Sequence, residues 1–256
     1  MAEMLFVYID TTSNAVFSKG LSPQDFVEGI VHQPEHLLLL NPAASAGEFD
    51  SHTGLKIING TNAVSNFFSI RQLNSPSAAK WIDFTDPALL KELSPLEISE
   101  LLYFGHMKTH LHSPFFYKLQ NNFVYFNFGN DTMRVYYRYL DEFYRILANK
   151  LSKIVLEKNN FRRTLFARGP QVAKLDGEIL KQLYPFFQEG AIFNIPQEPV
   201  ENQQFHIPIY LSDEKGWRRS QINLRKEQKV AELTYDLNKK IWHLEVEDDD
   251  LAFSFH

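Results

Sequence analysis

Two stretches of the chain alternate apolar and polar residues around a short polar turn, the pattern of a β-hairpin. In the first, Asn130 and Asp131 form the predicted turn, because both side chains tolerate positive φ angles. The cross-strand pairs that follow from this turn are Phe128 with Met133, Phe126 with Val135, and Val124 with Tyr137. All of these apolar partners then share one face, so we expect this hairpin to cover a core.

The second hairpin is predicted near the end of the sequence, with Asn238 and Lys239 at its turn. Its predicted pairs are Tyr235 with Trp242, Leu233 with Leu244, and Ala231 with Val246. A shift of one residue would move every apolar side chain of a strand to the opposite face. The apolar pattern therefore predicts a specific register for both hairpins.

Helices are predicted where a side chain that can cap a helix precedes a proline, because that combination satisfies the first backbone groups of a helix. This signal occurs at Ser22-Pro23, Asp86-Pro87 and Ser94-Pro95, and it predicts helices at 23–32, 87–92 and 95–105. Apolar residues at a 3.6-residue period predict the longest helix over 140–158 and a further one over 172–187.

Further strands are expected at 5–10 and 15–18, which form an N-terminal hairpin, and at 36–40, 56–58, 80–84 and 205–211. Pro208 favours an edge position for the last of these, because proline lacks a backbone donor. The fold class predicted is α+β, with antiparallel hairpins that form one or two sheets packed against several helices.

The domain organisation follows from composition along the chain. Residues 190–204 are rich in Pro, Gln, Glu and Asn, which predicts a loop or linker. We therefore expect a main α+β domain over 1–190 and a C-terminal β unit over 205–256 packed on it. The main domain contains two hairpin-plus-helix segments in similar order, so an internal repeat is one interpretation.

The composition of the chain excludes several classes of function. The chain has 256 residues, 44% of them hydrophobic, and no cysteine, which excludes disulfides and cysteine-based metal sites. Its net charge of -5 disfavours general nucleic-acid binding. The longest aliphatic run, Leu37 to Leu40, is far shorter than the roughly 18 residues of a membrane span, and no secretory signal is evident. A cytoplasmic protein is the expectation.

Three histidines are the strongest candidates for chemistry. His106, His110 and His112 lie close enough in sequence to converge on a divalent cation. On a helix His106 and His110 would share a face, whereas in a strand His110 and His112 would do so, and the two geometries exclude each other. The sequence offers no carboxylate at a fixed spacing to complete such a site. A divalent metal is thus the one cofactor that the sequence leaves open.

For the other candidate sites we prefer a structural explanation. Tyr125, Arg134, Tyr136 and Arg138 lie on the predicted solvent face of the first hairpin, where rings and cations could bind single-stranded nucleic acid or another ligand. Cross-strand packing alone also selects such residues. His32 to His36 fits the H-x-x-E-H pattern of a zinc protease, but Pro34 forbids the helix that this motif requires, so we expect a helix end followed by a strand.

No phosphate-binding or nucleophile motif occurs in the sequence. The interpretation that we prefer is therefore a non-enzymatic protein that binds an unidentified protein or a small molecule. A metal-dependent enzyme that uses the three histidines is the first alternative. Single-stranded nucleic-acid binding through the hairpin at 123–139 is the second.

Overall fold

The computed structural model describes residues 3–41, 44–69, 80–107, 115–160, 172–196, 203–212 and 229–247. The chain divides into two compact units. One, which we call the continuous unit, comprises Ile9–Leu147, and the other, the split unit, comprises Met1–Tyr8 with Ala148–His256. No helix among the described residues is long and apolar enough to cross a membrane.

Strand β1 (Glu3–Asp10) begins in the split unit, and the continuous unit contains the next seven strands. These are β2 (Ala15–Lys19), β3 (His36–Leu39), β4 (Glu48–Phe49), β5 (Lys56–Asn59), β6 (Lys80–Phe84), β7 (Phe123–Gly129) and β8 (Thr132–Tyr137). They are ordered β2-β8-β7-β6-β3-β5-β4, and each neighbouring pair is antiparallel. Antiparallel pairing throughout confirms the predicted fold class.

The helices of the continuous unit are α1 (Pro23–Gly29), α2 (Thr61–Phe67), a 3₁₀ helix (Pro87–Glu92), α3 (Pro95–Met107) and the first part of α4 (Asp141–Asn160). The predicted caps are present. Ser22 and Asp25 form a capping box at α1, and Ser94 and Glu97 exchange the same hydrogen bonds at α3. Helix α1 ends earlier than predicted, at Gly29, and α3 extends past Gly105 to Met107.

Both faces of the central strands of this sheet are covered. One face packs into a cluster that includes Val124, Phe126 and Tyr136 together with Leu101 and Phe104 of α3. On the other face, Phe26 of α1 contacts a group of rings formed by Trp81, Phe123, Tyr125 and Tyr137. The many aromatic residues of this unit therefore build its core.

The split unit contains β1, β9 (Ala191–Ile195), β10 (Gln204–Leu211), β11 (Lys229–Asp236) and β12 (Ile241–Val246). Their order is β12-β11-β10-β9-β1, again antiparallel. The helices here are the rest of α4, α5 (Gly177–Lys181) and α6 (Tyr184–Glu189). Tyr235 of β11 belongs to this core, and its hydroxyl oxygen accepts a hydrogen bond from the backbone N–H of Ala173 over 2.8 Å.

The register predicted for the C-terminal hairpin is confirmed. Strands β11 and β12 pair Tyr235 with Trp242, Leu233 with Leu244, and Ala231 with Val246. The pairing stops at Asp236 and Ile241, so four residues form the connection around the predicted turn.

The register predicted for the β7–β8 hairpin is wrong by one residue. The turn lies at Asn130 and Asp131 as expected, and both have φ near +50°. However, Phe128 is an extra residue between the pairs of Asn127 with Met133 and Gly129 with Thr132. This β-bulge shifts all later pairs, so Val124 faces Tyr136 and not Tyr137. Phe128 itself is 46% exposed.

Two other predictions in the split unit need correction. The helix predicted over 172–187 is two short helices, because Asp176 caps α5 and Pro185 lies in the first turn of α6. The loop predicted from 190 to 204 contains strand β9, whose buried residues pair with β1 and β10. Strand β10 is not an edge strand, although its pairing with β9 covers only Ile209–Leu211, just beyond Pro208.

Candidate functional site

An open cavity of about 360 Å³ lies in the continuous unit, where α2 meets the last strands of the sheet. Three segments line it: the approach to β4, the end of β5, and one side of α2. The lining residues are Ala46, Gly47, Glu48, Ile57, Ile58, Asn59, Ala63, Asn66 and Phe67. A volume of this size is within the range of small-molecule sites, roughly 300–1,000 Å³.

Gly47 brings the first wall of the cavity close to the second. Its φ is +84°, a left-handed conformation that favours glycine, and an added Cβ would lie 2.7 Å from the carbonyl oxygen of Ile57. Any larger residue would push the chain before β4 away from β5. The width of the cavity at this point therefore depends on glycine.

Gly60 forms the turn between β5 and α2. Its φ of +91° lets the chain reverse directly after the strand, and its N–H donates to Nδ1 of His36 over 3.0 Å. Because β5 and α2 are joined by this single residue, Asn59 and Ala63 stay close to each other at the cavity.

The floor of the cavity is apolar. Ile58 and Phe67 are buried, and Ala63 lies on the same side of α2 as Phe67, four residues away. Small apolar side chains such as that of Ala63 leave room for a ligand. An apolar body would gain free energy by leaving water here.

The polar groups of the cavity are two carboxamides and one carboxylate. Asn59, Asn66 and Glu48 are exposed, and their side chains form no hydrogen bond or ion pair with other residues that the structure describes. A carboxamide offers both a donor and an acceptor. Since Glu48 carries the only charge among the described residues of the lining, the site disfavours anions. The arrangement suits a neutral or cationic ligand with an apolar body and a group that both donates and accepts.

The structure does not test the predicted histidine cluster. The backbone of His106 belongs to α3, whereas His110 and His112 lie outside the described residues. Within the described part of the chain, no group of three or more His, Asp or Glu side chains is placed to hold a metal ion. The metal site therefore stays a prediction.

The expected aromatic platform on the first hairpin is wrong for its two rings. Tyr125 is 0% exposed and Tyr136 is also buried, because the sheet is covered on both faces. Burial raises the pKa of Tyr125 above its ordinary value. The two arginines are half-buried: Arg134 lies over the ring of Phe17, and Arg138 donates through Nε to the carbonyl oxygen of Asn121 over 2.7 Å.

The H-x-x-E-H segment has the conformation expected from Pro34. Helix α1 ends before it, and His36 begins β3. His32 hydrogen-bonds through Nδ1 to the buried carboxylate of Glu142, which also accepts from the amides of Val31 and His32. The two histidines therefore have separate structural partners.

Sequence reasoning did not find the cavity, because its polar residues come from three separate segments. The sequence feature that could have indicated the cavity is a pair of glycines with positive φ: Gly47, directly before β4, and Gly60, directly after β5. A comparison of this chain with family models, curated proteins and solved structures finds no match.

Proposed function

We propose that this protein binds a small molecule, without transforming it, in the cavity between α2, β4 and β5. The observation that carries the proposal is a cavity with an apolar floor and two carboxamides, Asn59 and Asn66, at its rim. The ligand class is a neutral or cationic molecule with an apolar body and an amide-like edge. Such an edge can donate to and accept from a carboxamide at the same time.

Benzamide is a suitable first probe, because it joins an apolar ring to a primary amide. For so small a molecule we expect saturable binding with a dissociation constant of about 1 mM. Benzoate has the same ring and a negative charge, so we expect it to bind at least about fivefold more weakly near Glu48. Ligand-observed NMR titration measures both affinities.

Two substitutions on α2 provide a matched comparison. Asn66→Ala removes a carboxamide from the cavity and should weaken benzamide binding about fivefold, the value of one partly exposed hydrogen bond. Asn62→Ala makes the same change on the same helix at an exposed position outside the lining, and should leave the affinity unchanged.

A filling substitution tests the location. Ala63→Phe places a ring in the cavity and should abolish binding of both probes, while circular dichroism shows that the chain is folded. Binding that persists in this variant would place the ligand elsewhere. If the natural chain shows no saturable binding of any neutral or cationic member of an aryl amide and aryl amine series, the proposed function is wrong.

A further inference from the structure

Strand β12 is the last strand in the order of the split unit, and its outer edge has no strand partner among the described residues. It pairs along its whole length with β11 on the other side. An edge strand presents unpaired backbone donors and acceptors, which can pair with a strand of another chain.

The hydrogen bonds between β11 and β12 show which residues present those groups. The N–H of Glu247 donates to the carbonyl oxygen of Val230 over 2.9 Å. In an antiparallel ladder, alternate residues point their backbone groups toward the same neighbour. The odd-numbered residues of β12 therefore bond to β11, and the N–H and C=O groups of Trp242, Leu244 and Val246 point to the outer edge.

This edge lacks most of the features that usually prevent strand pairing. Natural edge strands are protected by charged side chains, especially lysine, by proline, by bulges or by being very short. The one carboxylate within β12 is that of Glu245. Strand β12 has six residues, contains no lysine or proline, and pairs with β11 without a bulge. Its exposed apolar side chains are Ile241 at 40% and Val246 at 38%. By contrast β4, the end strand of the continuous unit, has only two residues.

We propose that β12 pairs with β12 of a second copy of this chain, antiparallel and about a two-fold axis at Leu244. In this register Leu244 faces Leu244 of the second copy, and Trp242 faces Val246. The backbone N–H and C=O groups of these three residues then form hydrogen bonds with the β12 strand of the second copy. The contact is self-complementary, so it closes as a dimer and does not extend into a fibre.

Side-chain complementarity selects this register over the neighbouring one, because an imidazole N–H can donate a hydrogen bond to a carboxylate. With the axis at Leu244, the imidazole of His243 faces the carboxylate of Glu245 twice, by symmetry. With the axis at His243, two imidazoles would face each other, and the apolar Ile241 would face Glu245. A second copy of this chain is therefore complementary to the edge in both backbone groups and side chains.

Disulfide cross-linking tests the register directly, because the chain has no cysteine of its own. A cysteine on the axis lies opposite its copy at a Cα separation of about 5.5 Å, which a disulfide can bridge. Leu244→Cys should therefore form a covalent dimer under mild oxidation, and His243→Cys should not. Cross-linking of His243→Cys in preference to Leu244→Cys would overturn the register.

A substitution at the edge tests the interface in the otherwise unmodified chain. Val246→Pro removes an amide that points away from β11, so the hairpin keeps its own hydrogen bonds. Analytical ultracentrifugation should show a dimer for the natural chain, and Val246→Pro should raise its dissociation constant about ten- to a hundredfold. Val246→Ala controls for the loss of the side chain alone and should have the smaller effect.

Charge exchange tests the contact between His243 and Glu245. His243→Glu places two carboxylates opposite each other and should weaken the dimer, and adding Glu245→Lys to the same chain should restore it. A natural chain that is monomeric at every concentration tested, or a dimer that is unaffected by Val246→Pro, would overturn the proposal.

Discussion

At the scale of single residues, Asp83 is a buried carboxyl group whose surroundings make stability depend on pH. It is buried in β6, and its carboxylate accepts from the backbone amides of Asn122 and Phe123. Burial raises the pKa of Asp83 from 3.8 to about 6, and the hydrogen bonds from the two amides limit the rise. The folded chain therefore holds this proton more tightly than the unfolded chain does.

This difference predicts how stability changes with pH. Below pH 3.8 Asp83 is protonated in both states, and as the pH rises toward 6 the unfolded chain gives up the proton first. The free energy of unfolding should consequently fall between about pH 4 and pH 6, by a contribution of about 3 kcal/mol from this residue. Urea unfolding at a series of pH values measures this decrease in the free energy of unfolding.

Asp83→Asn should remove this part of the pH dependence while lowering stability through the altered hydrogen bonds. Glu97→Gln is the matched control. Hydrogen bonds from Lys118 and Ser94 lower the pKa of Glu97 from 4.5 to about 2. The stabilisation that Glu97 provides is therefore lost as the pH falls from about 4.5 to 2, and not between pH 4.5 and pH 6. An unchanged slope in Asp83→Asn between pH 4 and pH 6 would contradict the assignment.

Local side-chain bonds were the residue-scale features that could be predicted from sequence. The hydrogen bonds of Ser22 with Asp25 and of Ser94 with Glu97 span three residues, so spacing alone reveals them. Glu142 instead binds His32, which is 110 positions away in sequence, and no local pattern encodes that distance.

At the scale of elements, the two hairpins show what an alternating pattern can and cannot determine. The β11–β12 register follows from the pattern because one face of that hairpin is polar. On β7 and β8 both faces are buried, so apolar residues occur on both and the pattern loses its contrast. The bulge at Phe128 could then shift the register without leaving a signal in the sequence.

The turn of the β7–β8 hairpin predicts a stabilising substitution. Asn130 and Asp131 both have positive φ, which strains a residue with a Cβ and costs glycine nothing. Asp131→Gly creates Asn-Gly, the pair that such two-residue turns prefer, and should raise the free energy of unfolding by about 0.5–1 kcal/mol. Chemical denaturation of the purified variant measures this gain.

Asp131→Ala is the control. Like Asp131→Gly it removes the carboxylate, but alanine is strained at positive φ and glycine is not. It should not stabilise the chain. Equal gains for both substitutions would indicate that removal of the carboxylate, and not the backbone conformation, is responsible.

At the scale of the whole molecule, sequence patterns predicted the α+β class but not the division of the chain. The predicted linker over 190–204 contains strand β9, and the division found in the structure lies at Tyr8/Ile9 and at Leu147/Ala148. The first point is inside β1 and the second is inside α4. Composition could not reveal either, because regular elements that continue from one unit to the next carry no linker signal.

Continuous elements at both division points predict that the two units unfold together. Opening one unit alone would interrupt β1 and α4 within their length and leave unpaired backbone groups there. Ile82→Val, in the core of the continuous unit, should destabilise the chain by about 1 kcal/mol. Native-state hydrogen exchange should show the same loss for the slowest amides of β11, in the split unit, as for those of β7. If the amides of β11 keep their full protection in this variant, the units unfold independently, and the stability of the C-terminal hairpin must then come from the split unit alone.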